Sequence, residues 1–205
     1  MKIIAVGLNY PAHNKEFDNS LKLPQEPVIF MKPDSSLLKN GKPFFIPDFS
    51  QQVDYEAEVV VRIMRMGKSI PARFASRYYD AFTVGIDFTA RDLQQQYRSK
   101  GLPWELSKGF DGAATIGNFV EAGRFPDVQN IDFGLTIDDR TVQQGNTREM
   151  LFGIDRLVAY VSSFCTLKTG DLIYTGTPAG VGPVHPGQHL QGYLAGEKVL
   201  DFFVR

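Results

Sequence analysis

Val53-Asp54-Tyr55-Glu56-Ala57-Glu58-Val59-Val60-Val61-Arg62-Ile63 decides how this chain is built. Its β-branched residues and the apolar–polar alternation of its first half predict the longest strand of the chain, from Val53 to Ile63. Successive side chains on a strand point to opposite faces. Asp54, Glu56 and Glu58 therefore share one face, and Tyr55, Ala57 and Val59 the other. Three carboxylates on one face repel one another and raise each other's pKa. A solvated strand face is the plain alternative, although such a face ordinarily mixes in Lys, Ser or Thr. Val59-Val60-Val61 argues against it, because consecutive apolar residues imply burial on both faces directly beyond the acids. Carboxylates that lead into buried backbone need a partner, and a bound cation supplies one.

A further acid in an apolar setting is Asp87, within Val84-Gly85-Ile86-Asp87-Phe88. Alone it could cap a helix; with Glu56 and Glu58 it makes an all-oxygen donor set. Hard oxygen ligands without Cys or His favour Mg²⁺, Mn²⁺ or Ca²⁺ over Zn²⁺ or Cu²⁺. His13 and Glu16 stand three residues apart and share a face on a helical turn. Glu16 could then orient and charge-balance the imidazole as a general base. Lys108, in Ser107-Lys108-Gly109-Phe110-Asp111, reads as a loop residue whose cation could hold a substrate carboxylate. Thr175-Gly176-Thr177-Pro178-Ala179-Gly180-Val181-Gly182 offers backbone N–H groups and hydroxyls but lacks the Gly-Lys-Ser/Thr of a phosphate loop. His185 and His189 receive no role, and Cys165 reads as a buried structural thiol.

Strands are expected at 3–8, 27–31, 44–46, 83–88, 172–175 and 199–204, with a loop or short helix over 9–25 and a loop over 101–113. Asn130–Ile137 and Arg140–Gln143 read as a hairpin turning at Asp138-Asp139. Helices are expected over 72–82, from Thr89 or Asp92 to Tyr97, and over 149–164. In the last, Met150, Ile154, Leu157, Val161 and Phe164 recur at three and four residues, with Asn146 or Thr147 as cap. Strands outnumber helices without alternating with them, so the fold class is α+β. With 205 residues, 43% hydrophobic and 22% charged, the chain is expected to form a single globular domain, 1–205. A net charge of −1 without a basic block excludes nucleic acid as a partner. The apolar run Met1–Val6 is too short for a signal peptide or membrane span, so no membrane contact and a cytoplasmic protein are expected.

Several stretches, in order along nearly the whole chain, resemble the fumarylacetoacetate hydrolase family. They are Val6-Gly7 with Asn9-Tyr10 and His13, Met31-Lys32-Pro33, and Asp54-Tyr55-Glu56-Ala57-Glu58. Asp87-Phe88-Thr89-Ala90-Arg91-Asp92-Leu93-Gln94, Ser107 to Asp111, Gly170-Asp171 and Thr175 to Gly182 follow. The short chain is most similar to the acylpyruvase and oxaloacetate decarboxylase branch. That resemblance implies a β-rich roll with peripheral helices, a homodimer, and Mg²⁺ or Mn²⁺ held by Glu56, Glu58 and Asp87. It implies that residues 8–25 form a mobile lid carrying a His13–Glu16 dyad, and that Lys108 is the active-site lysine. Thr177, Gln94 and Arg91 would bind substrate, Gln94 lying where it would also approach the metal or its water. One departure is Leu8, where the family commonly has Arg, and it bears on substrate range. The implied activity is metal-dependent hydrolysis of a C–C bond in acylpyruvates, with a small 2-oxo acid or dicarboxylate as the substrate. The same residues could decarboxylate oxaloacetate or isomerise 2-hydroxyhepta-2,4-diene-1,7-dioate. A 2-oxo acid binder that has lost turnover is the alternative outside catalysis.

Overall fold

The computed structural model describes residues 1–17, 22–39 and 41–205, without the side chains of residues 15–17. The strands are β1 (Ile3–Gly7), β2 (Val28–Lys32), β3 (Leu37–Leu38), β4 (Val53–Tyr55), β5 (Ala57–Ile63), β6 (Tyr79–Asp87), β7 (Thr89–Ala90) and β8 (Ala114–Ile116). They continue with β9 (Val120–Glu121), β10 (Asp132–Ile137), β11 (Arg140–Asn146), β12 (Leu172–Tyr174), β13 (Gly182–Pro183), β14 (His189–Leu194) and β15 (Glu197–Phe203). Helices are α1 (Pro11–Phe17), α2 (Arg91–Lys100), α3 (Glu105–Lys108) and α4 (Ile154–Phe164). The fold is α+β and strand-rich, as the sequence predicts.

An eight-stranded sheet runs β2-β1-β12-β5-β6-β8-β3, with β9 beside β6. A four-stranded antiparallel sheet, β11-β10-β14-β15, packs against it, and β13-β4-β7 form a small third sheet. Val59-Val60-Val61 is buried on both faces, as expected. Val59 and Val61 join the main core with Phe82, Leu135 and Leu157, while Val60 joins a second cluster with Ile3, Leu172 and Tyr174. Strand β1 shows the same pattern, being buried on both sides beside its parallel neighbour β12.

Close approach of strands matters at Gly85, which faces Glu58 across the β5–β6 ladder. A Cβ there would lie 2.5 Å from the Thr115 carbonyl oxygen and 2.7 Å from Val60 Cγ2. Gly85→Ala should therefore cost roughly 2 kcal/mol through overpacking, read as a lower melting temperature. An unchanged melting temperature would contradict this tight β6–β8 approach.

Some expectations need correction. The strand expected over 53–63 is two strands, broken at Glu56, whose halves join different sheets. At the break, the Glu56 carbonyl accepts from Asp87 N (2.8 Å) and Ala57 N donates to Gln143 Oε1 (2.9 Å), so the local ladder yields to tertiary bonds. The helix expected over 72–82 is a 3₁₀ turn, Ala72–Arg77, followed by strand from Tyr79. Pairing with β5 overrides local preference there. Of 44–46, only Phe44 bridges, to Val204. The helix expected over 149–164 starts at Ile154, leaving Met150 outside; Asn146 caps a preceding 3₁₀ turn, accepting from Arg148 N at 2.9 Å. His189 opens strand β14 where a surface-like stretch was expected, and Cys165, directly after α4, is half-buried. The hairpin stands as read: Asp138 and Asp139 take φ of 50° and 63°, the left-handed pair that a tight two-residue turn requires. The expected lid spans α1, and part of it, residues 18–21, lies outside the described residues.

Candidate metal centre

Glu56, Glu58 and Asp87 converge: one carboxylate oxygen from each lies within 4.8 Å of the others, and all three residues are buried. Glu56 occupies the break between β4 and β5, Glu58 follows on β5, and Asp87 ends β6. Antiparallel register pairs Ala57 with Ile86 and Glu58 with Gly85, which sets Asp87 beside Glu56. Asp54, expected on the same face, is not part of this converging group: it pairs with Arg91, which also holds Glu56, and accepts from Gln52.

Three buried cations brace the acids. Lys108 Nζ donates to Glu56 Oε2 (2.7 Å), Asp87 Oδ2 (2.8 Å) and Thr89 Oγ1 (2.6 Å). Lys32 Nζ pairs with Asp87 Oδ1 (2.5 Å) and donates to the carbonyls of Ala113 and Lys108. Arg91 reaches Asp54 (2.7 Å), Glu56 Oε1 (2.6 Å) and Gln94 Oε1 (2.5 Å). Burial opposes ionisation of Glu56, but Lys108, Arg91 and His13 outweigh it and hold that carboxyl far below its usual range. Glu58 is treated differently. Its Oε2 accepts from Gly176 N at 2.6 Å, in a turn where Gly176 takes φ of 100°. Burial first, then the charges of Asp87 and Glu56, push the Glu58 carboxyl well above its usual range. The set is thus one positive partner short, at an oxygen-only position. A divalent cation fits that requirement, with three protein oxygens leaving room for water or a chelating ligand.

The sequence-derived residues fall around this point. His13 is buried and lines the cleft above the acids with Arg91, Gln94, Lys108 and Thr177. Glu16 belongs to α1, but its side chain lies outside the described residues. Lys108 is not on a loop: it ends the short helix α3, and its ammonium is committed to Glu56 and Asp87. The Thr177 hydroxyl donates to the Ala57 carbonyl (2.9 Å) and accepts from Gln143 Nε2 (2.9 Å).

Two supporting residues escaped the sequence reading. Lys32 had a signal, since a lone lysine inside Val28-Ile29-Phe30-Met31-Lys32 is out of place unless paired. Gln143 had none. It is buried on β11 and clamps Ala57 N, Thr177 and the Pro178 carbonyl, tying the four-stranded sheet to the backbone between two acids. Gln143→Leu keeps the volume and removes all three bonds. We expect metal affinity to fall roughly 10-fold, read by calorimetric titration; unaltered affinity would show that the clamp does not position the acids.

The same cleft is lined by Val6, the half-buried Leu8, Phe30 and Trp104, and the exposed Arg98. Among the described residues, no helix is long and apolar enough to cross a membrane.

Comparison with known proteins agrees with this geometry. A family model described as "Fumarylacetoacetate (FAA) hydrolase C-terminal" matches residues 2–200. "Oxaloacetate decarboxylase, mitochondrial" of Dictyostelium discoideum is 41% identical over 95% of this chain and 89% of its own length. "Oxaloacetate tautomerase FAHD1, mitochondrial" of Arabidopsis thaliana is 39% identical over 99% and 90%. The crystal structure of fumarylpyruvate hydrolase from Pseudomonas aeruginosa, in complex with Mn²⁺ and pyruvate, superposes with a TM-score of 0.92 at 32% identity. That match covers 100% of this chain and 89% of the other. With a family model spanning nearly the whole sequence and relatives of this similarity, the chain belongs to the fumarylacetoacetate hydrolase family of enzymes.

Proposed function

We propose that this chain is a divalent-metal-dependent enzyme that hydrolyses a C–C bond of a 2,4-dioxo acid and releases pyruvate. The observation that carries this reading is the buried Glu56–Glu58–Asp87 group, one cation short, at the floor of a cleft that also presents His13. Mg²⁺ or Mn²⁺ suits the oxygen set, and Ca²⁺ is chemically compatible with it. The neighbour that holds Mn²⁺ and pyruvate supports the same reading. A bound divalent cation supplies Lewis acidity, which offsets the negative charge developing on the substrate's 2-oxygen as the bond breaks. Lys108 and Lys32 keep Glu56 and Asp87 in place, and Arg91 fixes Glu56 and Gln94. In this reading Thr177 contacts the substrate and Gln94 approaches the metal or its water. His13, with Glu16 one turn along α1, takes a proton from water as the oxygen adds to the distal carbonyl. The bond between carbons 3 and 4 then breaks, carbon 4 leaves as a carboxylic acid, and carbon 3 of the enolate recovers the proton from the imidazolium. Segment 8–25 closes over the cleft in this mechanism, and the enzyme works as a homodimer.

Decarboxylation or tautomerisation of oxaloacetate is the second reading, favoured by the names of the two curated relatives. Decarboxylation needs no activated water, so the two readings differ at His13. With chelator-treated protein reloaded with Mg²⁺ or Mn²⁺, His13→Ala should lower acetylpyruvate hydrolysis by about 10²–10⁴-fold. Oxaloacetate decarboxylation should change far less. Turnover of oxaloacetate alone would select the second reading, and turnover of neither with metal bound would overturn both.

A further inference from the structure

The cations at the floor of the cleft are already engaged within the protein. Lys108 and Lys32 bind Glu56 and Asp87, and Arg91 binds Asp54, Glu56 and Gln94. Each of these three cations already pairs with Asp54, Glu56 or Asp87, so none of them is left over for a second substrate carboxylate, and such a group must be read further out.

Outward from the floor the wall is apolar. Leu8, Phe30 and Trp104 line it, the two rings meeting edge to face with centroids 5.8 Å apart. Apart from the groups at the floor, the charged side chain that lines this cleft among the described residues is the exposed Arg98. Its guanidinium has no hydrogen bond or ion pair with any described residue. An exposed arginine is ordinarily a solvated charge, but this one lines the same cleft as the three acids. Residues 91, 94 and 98 follow at spacings of three and four on α2, so they share a face of the helix. Seven residues of helix span roughly 10 Å. That is longer than a four-carbon diacid and suits an extended one.

We propose that Arg98 is a specificity-determining residue that pairs with a distal carboxylate of the substrate. The site then prefers extended 2-oxo diacids to monocarboxylic acylpyruvates and to oxaloacetate, with Leu8, Phe30 and Trp104 packing on the carbon chain between the ends. This rests on the proposed reading of the triad as a 2-oxo acid site. Arg98 lies at the open rim, where a charge pair is partly screened, so the effect is moderate.

The test is calorimetric titration of Mg²⁺-loaded protein with 2-oxoadipate and 2-oxohexanoate, two six-carbon acids that differ only in a distal carboxylate against a methyl group and need no turnover. The wild-type protein should bind 2-oxoadipate about ten-fold more tightly. Arg98→Gln should abolish that preference while leaving 2-oxohexanoate within about two-fold, and Arg98→Lys should retain most of it. Equal affinity of the wild-type protein for both acids, binding of neither, or equal losses for both in Arg98→Gln would overturn the proposal. Failure of the acetylpyruvate assay would count against the proposed reaction while leaving a positive binding result intact.

Discussion

Glu58→Gln will abolish metal-dependent turnover and, in the same protein, raise the melting temperature of the metal-free form. Both effects have one cause. Among the described residues, Glu58 is the acid of the triad that no lysine or arginine hydrogen-bonds, and burial, then the charges of Asp87 and Glu56, push its carboxyl well above the usual range. In the metal-free protein that group is a liability, and with a divalent cation it is a ligand. Gln keeps an oxygen to accept from Gly176 N, the bond measured at 2.6 Å, so the turn survives the change. Losing several kcal/mol of Lewis-acid stabilisation lowers the rate by at least about 10³-fold.

The stability gain has a definite pH dependence. Below the ordinary carboxylate range Glu58 is protonated both folded and unfolded, and variant and wild type coincide. As pH rises through the ordinary pKa, the unfolded chain loses its proton while the folded chain holds it, and the wild type loses stability. The loss levels off once pH passes the raised pKa of the folded state. Near neutrality the metal-free variant should therefore melt above the wild type, at about 2–4 °C per kcal/mol gained for a chain of this size. A metal-free variant that melts below the wild type at neutral pH would contradict this account of Glu58.

Lys32→Met should be the most destabilising substitution near the site. Its ammonium is fully buried, lies 2.5 Å from Asp87 Oδ1 and also reaches the carbonyls of Lys108, Ala113 and Phe88. Removing one partner of a buried pair leaves the other charge uncompensated, at about 3–5 kcal/mol. The melting temperature should fall by roughly 6–20 °C. The double variant Lys32→Met/Asp87→Asn should recover part of that loss, because the stranded charge is gone. A double variant no more stable than Lys32→Met alone would show that the lysine contributes packing and carbonyl bonds rather than charge.

Much of this was legible in the sequence. Glu56, Glu58 and Asp87 could be read because strand alternation and apolar flanks leave carboxylates there few ways to be satisfied. The Asp138-Asp139 turn could be read because a two-residue hairpin tolerates few residue types. What stayed hidden depends on partners distant in sequence. The break at Glu56 exists because Gln143, 86 residues from Ala57, claims the backbone N–H that a longer strand would pair. The false helix over 72–82 became strand because Tyr79 to Asp87 find β5 as a neighbour. Lys108 read as a loop cation because no local pattern reveals acids 52 and 21 residues away.

The most direct test of the central claim is calorimetric titration of Mn²⁺ into chelator-treated protein at several pH values, with Asp87→Asn alongside. Three carboxylates sharing one cation predict one ion per chain, affinity that rises with pH as Glu58 gives up its proton, and loss of binding in Asp87→Asn. Binding that ignores pH and persists undiminished in Asp87→Asn would place the metal elsewhere and contradict the account.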